Sequence, residues 1–313
     1  MLFSIALILA SFIILAKASS EAIKRVISLS RHFGVSEFAV SFLLIGVVAV
    51  LPELFIGIIS ALEGSPSFGL GVVIGSNIAD MTLVVGLVAL SAYSLRLHKS
   101  TLKEIRVLIL VVALPLVLLF DGELSRADGL VLIISFFAYI RFIIQKHNVK
   151  CPPLGKDDVA VGKELFILAI SLSALLVSAH LITGSAKDLS IAFSLPVFFI
   201  GLLVAVGTCL PELMVSLQAT RKKHGELGFG DILGNVFADC MATLGVIALI
   251  SPVKFEYPLL AILSSFLMLA SIIILVSMFQ LKNQISRKEG ILLIALYIIF
   301  TLLQFYAEIA FSR

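Results

Sequence analysis

Apolar runs of roughly 18 to 25 residues recur from one end of this chain to the other, the length a helix needs to cross a hydrocarbon core about 30 Å thick. In that medium no water satisfies a free N–H or C=O, so each run is expected to close its backbone hydrogen bonds within itself, as a helix. Hydrophobic residues make up 60% of the 313, charged residues 14%, and the mean hydropathy is +1.16. No hydrophilic block is long enough for a separate soluble domain, and a net charge of +3 gives no reason to expect a nucleic-acid partner. The composition points to a polytopic protein whose main partner is the lipid bilayer.

Ten helical segments are expected, at about 1–20, 37–62, 67–92, 104–120, 125–145, 162–186, 194–219, 226–250, 257–280 and 288–309. The first lacks a basic leader and a small-residue cleavage site, and is expected to stay attached as a transmembrane helix. All 23 Lys and Arg residues except Arg126, Lys187, Lys254 and Arg313 lie in or beside the odd-numbered connections. The positive-inside rule makes those connections cytoplasmic and both termini extracellular, with the chain multi-pass in the plasma membrane.

One segment, residues 146–161, interrupts the apolar pattern with Pro, Gly and charge, and reads as a cytoplasmic linker between halves 1–145 and 162–313. Five helices on each side give the halves opposite orientations, so any likeness between them is an inverted repeat. The likeness is present. "LLIGVVAVLPEL" (43–54) lies over "LLVAVGTCLPEL" (202–213), and "GSNIADMTLVVG" (75–86) over "GNVFADCMATLG" (234–245), at one offset of 159 (212 minus 53) without a gap. The expected fold is therefore an all-α membrane protein of two inverted five-helix repeats, with helices 2, 3, 7 and 8 around a central ion-binding core.

Within these repeats Pro52 removes the N–H that would serve the carbonyl of Val48 and pushes Leu51 from helical angles, so helix 2 should break in mid-membrane. The freed carbonyls have to line a protein-enclosed cavity rather than lipid. Pro52 then starts a second half-helix with Glu53 in its first turn, and Pro211 and Glu212 repeat the arrangement. Asp80 and Asp239 each follow their Glu by 27 residues (80 minus 53, 239 minus 212), deep in the next helix. Four intramembrane acids without a Lys, Arg or His at similar depth must be neutralised by protons or bound cations. With Thr208, Ser76, Asn77 and Asn235 they form an all-oxygen set that suits calcium or sodium rather than zinc or copper.

At these residues the chain resembles the cation/calcium exchanger superfamily, specifically the prokaryotic sodium/calcium exchangers, over essentially its whole length. The family's two alpha-repeats carry cores like G-T-S-L-P-E and G-S-N-x-x-D. Here they fall at about 39–86 and 198–245: "GTCLPELMVS" with "GNVFAD" is close to the pattern, whereas "VAVLPEL" with "GSNIAD" matches in part. "FDGELSRADG" (120–129) is similar to the family's connection between helices 4 and 5. The resemblance implies alternating access by sliding of helices 1 and 6. It also implies that Glu53 and Glu212 are the main calcium ligands, with the carbonyls of Ala49 and Thr208 assisting and Asp80 and Asp239 completing the acidic centre. One flanking sodium site would comprise the Ala205 carbonyl, Thr208, Cys209 and Ser76, and its mirror the Gly46 carbonyl, Ala49, Val50 and Asn235. Three family hydroxyls are replaced, by Ala49, Val50 and Cys209, and position 80, often Asn in this branch, is Asp.

The expected function is thus a secondary antiporter exchanging calcium for sodium, with no cofactor, no enzymatic activity and no obligate protein partner. Proton coupling, and magnesium or manganese as the transported divalent, remain open at this stage. A cation channel would also use carboxylates, but paired inverted repeats around one site are the architecture of alternating access. "GFGD" (228–231) looks like an element of intramembrane aspartyl proteases, yet no Tyr-Asp partner occurs anywhere in the chain. Cys151, Cys209 and Cys240 have neither disulfide nor metal-ligand spacing. Gly75, Gly86, Gly234 and Gly245 are expected to allow close packing, and His180 to lie at a surface or to face helix 1 near its repeat mate Glu21.

Overall fold

The computed structural model describes residues 2–32, 50–92, 94–96, 109–110, 112–147, 160–221, 225–254, 258–282 and 284–311. Helices α1 (Leu2–His32) and α7 (Val161–Phe193) run well past the segments expected at 1–20 and 162–186. Beyond the apolar stretch each continues through residues of good helix propensity, such as Ala22, Lys24 and Arg25 in α1 and Ala186, Lys187 and Leu189 in α7, so the helix outlasts the hydropathy signal. At about 1.5 Å per residue both are longer than a bilayer core is thick.

In chain order α2 is Leu51–Leu62, α3 Pro66–Ala79, α4 Val85–Ala92, α5 Val112–Asp121 and α6 Arg126–His147. The second half gives α8 Val197–Thr208, α9 Leu210–Arg221, α10 Gly225–Ala238, α11 Leu244–Ile250, α12 Pro258–Lys282 and α13 Arg287–Phe311. Two helix starts are fixed by capping boxes, in which the side chain three residues on takes the free N–H of the cap. Ser125 N donates to Asp128 at 2.8 Å before α6, and Ser286 N to Glu289 at 2.8 Å before α13.

The all-α expectation needs one amendment. Strands β1 (Ser94–Arg96) and β4 (Gln284–Ser286) pair antiparallel, as do β2 (Glu123–Leu124) and β3 (Val253–Lys254). Connections between adjacent helices come close enough in extended form to share backbone hydrogen bonds, and hydropathy carries no signal for that. Residues 148–159 of the linker at 146–161 lie outside the described residues, as do Cys151 and the first part of the segment at 37–62.

Among the described residues seven helical stretches are long and apolar enough to span a membrane: Leu2–Val26, Pro66–Ser91, Val161–Phe193, Val197–Leu217, Phe229–Ile250, Leu259–Gln280 and Arg287–Ala307. Pro66–Ser91 is almost entirely enclosed, whereas α7 and α13 turn most of their surface outward. Their outer faces carry Phe166, Ile170, Val177, Ile191, Ile298 and Leu302, a lipid-facing surface rather than a soluble one.

Two apolar clusters hold the molecule together. The larger gathers α3, α4, α10, α11, α12 and α13; the smaller joins α1 and α7 to the inner faces of α2, α3 and α8 through Phe12, Leu15, Ile56, Phe68, Ile182 and Val204. The most extensive pairing is α1 with α7, and next is α3 with α8. At three of the four expected glycines the neighbours do close in. A Cβ on Gly75 would stand 2.8 Å from Ala205 Cβ, one on Gly86 2.8 Å from Gly290 O, and one on Gly245 2.8 Å from Ile133 Cγ1.

Candidate functional site

The site begins with the helix breaks. In the second repeat α8 stops at Thr208, Cys209 turns at φ −75° and ψ −2°, and α9 restarts at Leu210. Pro211 has no N–H to offer the Gly207 carbonyl, which is why the ladder fails at this point. It recovers within a turn, because Leu213 N reaches Cys209 O at 3.0 Å. In the first repeat Val50 adopts φ −91° and ψ 10° ahead of α2, and Leu54 N reaches Val50 O at 2.8 Å. Glu53 and Glu212 therefore sit in the first turn of α2 and α9, where unpaired N–H dipoles favour negative charge.

The aspartates sit at a second irregularity. Residues Asp80–Val84 and Asp239–Thr243 form single π-helical turns, joining α3 to α4 and α10 to α11 at matching repeat positions. A π-turn inserts one residue into the ladder and re-aims the side chains around it. No motif in the sequence marks these turns, though the offset of 159 means that finding one predicts the other.

These elements converge in pairs that cross between repeats. Asn235 Nδ2 donates to Asp80 Oδ2 at 2.8 Å, and Ser76 Oγ lies 3.0 Å from Asp239 Oδ2. Ser76 and Asn235 are repeat mates, so each half holds the other's aspartate. Ser76 Oγ is also 3.0 Å from Val73 O, so its single proton serves one acceptor at a time. Asn77 Nδ2 reaches Cys240 Sγ at 3.3 Å, a contact the motif comparison did not anticipate. Cys209 Sγ lies 3.5 Å from Ser76 O, and the Ala205 carbonyl accepts from Thr208 Oγ1 at 2.9 Å and Cys209 N at 3.2 Å.

Glu53, Asp80, Asp239, Ser76, Asn77, Thr208, Asn235 and Ala205 are fully buried, and Glu212 and Cys209 nearly so. Among the described residues several of their oxygens have no partner: both of Glu53, Glu212 Oε2, the Oδ1 atoms of Asp80, Asp239, Asn77 and Asn235, and Oγ1 of nearby Thr243. A buried polar atom left unpaired costs about 1–3 kcal/mol, so a constellation of this kind is retained for something that comes to it. Among the described residues no three carboxylate, imidazole or thiolate side chains close around a single point, and of the four acids only Asp80 and Asp239 are held across the repeats, by Asn235 and Ser76. Gly46 and Ala49, expected as carbonyl ligands, lie outside the described residues.

Charged contacts flank this apolar region. Arg25 bridges Glu21 of its own helix at 2.8 Å and Glu164 of α7 at 3.2 Å, and Lys24 holds Glu21 at 2.7 Å. In the turn after α2, Glu63 meets His180 Nδ1 at 2.5 Å and Lys187 Nζ at 2.9 Å. His180 thus finds Glu63, and Glu21 is engaged on its own helix. Burial acts to raise the Glu63 carboxyl, but Lys187 and His180 outweigh it and hold it below its ordinary value.

Comparison with known proteins agrees with this geometry. A family model described as sodium/calcium exchanger protein matches residues 3–145 and 163–306. An uncharacterized membrane protein of Methanocaldococcus jannaschii, MJ0091, is 33% identical over 273 residues, 87% of this chain and 88% of that protein. The sodium/calcium exchanger MaX1 of Methanosarcina acetivorans is 25% identical over 344 residues, covering 96% of this chain and 98% of the relative. Among solved structures, the sodium-calcium exchanger NCX_Mj soaked with 2.5 mM Na+ and 0.1 mM Ca2+ superposes with a TM-score of 0.65 at 30% identity, over 96% of this chain and 97% of that one.

Proposed function

The chain belongs to the sodium/calcium exchanger family, and from that premise we propose that it carries calcium across the membrane in exchange for sodium by alternating access. It is a cation/calcium antiporter of the membrane and not an enzyme. The observation that carries the calcium reading is the set of buried oxygens, without partners among the described residues, that matching positions of the two halves contribute. Among the described residues none of the four acids pairs with a Lys, Arg or His, so cations or protons have to neutralise them. Hard oxygen ligands favour calcium and sodium over softer metals.

In this reading Glu53 and Glu212 grip calcium together with the carbonyls of Ala49 and Thr208, and Asp80 and Asp239 complete the acidic centre. Ser76, Asn77, Asn235, Cys209, Ala205 and Gly46 supply the flanking ligands. Ion binding at the Ala205 carbonyl requires a hydrogen bond to give way, because that oxygen already accepts from Thr208 Oγ1 and from Cys209 N. Ten transmembrane helices form two inverted repeats, 1–145 and 162–313, about the linker at 146–161. The core is α2, α3–α4, α8–α9 and α10–α11, and the pair α1 and α7 slides across it. Both termini face outward from the plasma membrane. Calcium and the coupling ion compete for Glu53 and Glu212, and each stabilises the state it binds.

One observation favours protons as the coupling ion instead. Positions where the family carries sodium-ligating hydroxyls hold Val50, whose side chain is fully buried, and Cys209, whose thiol faces the Ser76 carbonyl. The test is calcium-45 uptake into liposomes driven by an outward sodium gradient or, separately, by an outward proton gradient without sodium. Sodium-driven uptake that vanishes in both Glu53→Gln and Glu212→Gln is the expected result. Exchange retained in the folded variants refutes the ligand assignment, and uptake with protons alone replaces sodium as the coupling ion.

A further inference from the structure

The GFGD stretch ends in a carboxylate that the site does not use. Asp231 is half-buried on α10 and makes no hydrogen bond or ion pair among the described residues. It precedes Asn235 by four residues and Asp239 by eight, so the three lie along one broad face of the helix, rising by roughly 12 Å. The two steps beyond it are fully buried, and each has an Oδ1 without a partner. The first repeat has no counterpart: the mates of Asp231, Asn235 and Asp239 are Val72, Ser76 and Asp80, and Val72 is fully buried in the smaller apolar cluster.

A lone carboxylate at the end of a spanning segment is costly, and no partner among the described residues offsets the cost. Its position supplies a reason. α10 starts at Gly225, next to the basic stretch after Arg221, and Asp231 lies between that end and Asp239. A fixed negative charge on the approach to a cation site raises the local concentration of cations, divalent ones most.

We propose that Asp231 is a recruiting residue on the cytoplasmic approach, drawing calcium toward Asp239 and Glu212 and raising apparent calcium affinity from that side alone. This rests on the ion site and topology proposed above. The missing acid at Val72 makes the two approaches unequal, as suits a carrier that must capture calcium from the side where it is scarce.

The experiment measures calcium-45 uptake by the full chain in inside-out and right-side-out membrane vesicles, driven by whichever coupling ion supports exchange. One unit charge about 12 Å from a divalent ion in a water-like medium is worth about threefold in affinity. Asp231→Asn is therefore expected to raise KM for calcium about threefold in inside-out vesicles, with kcat and the right-side-out KM unchanged. Asp231→Glu should restore the wild-type value, and the difference should shrink as salt screens the charge. An equal rise in both vesicle types, a loss of kcat at constant KM, or no change would overturn the proposal. If Asp231→Asn does not fold, the salt dependence of the wild-type KM decides: steeper in inside-out vesicles supports it, equal in both refutes it. Glu212→Gln run in parallel separates the two levels, because exchange surviving in that variant overturns the site itself, whatever Asp231 does.

Discussion

Where α3 crosses α8 the two backbones touch, and Gly71→Ala tests that contact directly. A Cβ on Gly71 would stand 2.2 Å from Phe198 O, 3.0 Å from Phe198 C and 3.3 Å from Gly201 Cα. All three are main-chain atoms, so no rotamer change relieves the clash. From the other side a Cβ on Gly201 would meet Phe68 O at 2.5 Å and Val72 N at 3.0 Å. Restoring ordinary contact at 3.4 Å means parting the helices by about 1.2 Å, the difference between 3.4 and 2.2. Overpacking of this kind costs about 1–3 kcal/mol. At about 2–4 °C per kcal/mol, melting should fall by several degrees. The same displacement pulls Cys209 from the Ser76 carbonyl, now 3.5 Å from its thiol, so calcium uptake should fall even at temperatures where the variant stays folded. Melting is followed in detergent by size-exclusion of a fluorescently tagged protein, and uptake in liposomes. Gly184→Ala is the control: a Cβ there meets nothing within 4 Å, and the exchange in mid-helix should be neutral or stabilising by up to about 1 kcal/mol. If Gly71→Ala melts and transports like the wild type, α3 and α8 do not meet backbone to backbone.

Two further substitutions address α1 and the turn after α2. A Cβ on Gly207 would lie 2.3 Å from Cε2 and Cζ of the Phe12 ring, a side-chain tip that can swing aside. Gly207→Ala should therefore lower the melting temperature less than Gly71→Ala while slowing transport, and adding Phe12→Ala should recover part of the rate; a double variant no faster than the single one removes the contact from the transport cycle. Glu63→Gln should cost under about 1 kcal/mol, because both ion pairs are partly exposed. The Glu63 carboxyl is depressed in the folded state, so its contribution is present above the ordinary carboxylate range and lost as pH falls through the depressed value. The melting gap between wild type and variant should be present above the carboxylate range and close below about pH 4, and a gap that persists undiminished below that pH contradicts the pairing.

Seven spanning helices were legible because a bilayer makes length and hydropathy nearly sufficient, and the break between α8 and α9 was legible because Pro211 removes a donor whatever surrounds it. The acids were legible because Glu53 and Asp80 have copies at Glu212 and Asp239 in a setting where a single carboxylate is already costly. What escaped depends on contacts between segments. The π-turns at Asp80 and Asp239, the Asn77–Cys240 contact and the strand pairs all arise when helices far apart in sequence come together. The ends of α1 and α7 escaped for another reason: Ala, Lys and Arg sustain a helix after they have ceased to register as apolar.

The repeats also differ at the very atoms that cross between them, and the difference is chemical. Asn235 Nδ2 can only donate, so Asp80 Oδ2 is fixed as an acceptor, and a proton on Asp80 would have to sit on its partnerless Oδ1. Ser76 can turn its proton to Val73 O, 3.0 Å away, and then accept from Asp239 through a lone pair. As a neutral acid Asp239 can therefore donate to Ser76 within its present contacts, whereas a proton on Asp80 Oδ1 finds no acceptor among the described residues. Two positions related by the same repeat thus offer a proton different surroundings, through the replacement of one hydroxyl by one amide. A centre with four acids needs such a distinction if it is to take up a divalent cation and release it again, since four fixed negative charges would hold calcium too tightly and four neutral acids would not bind it.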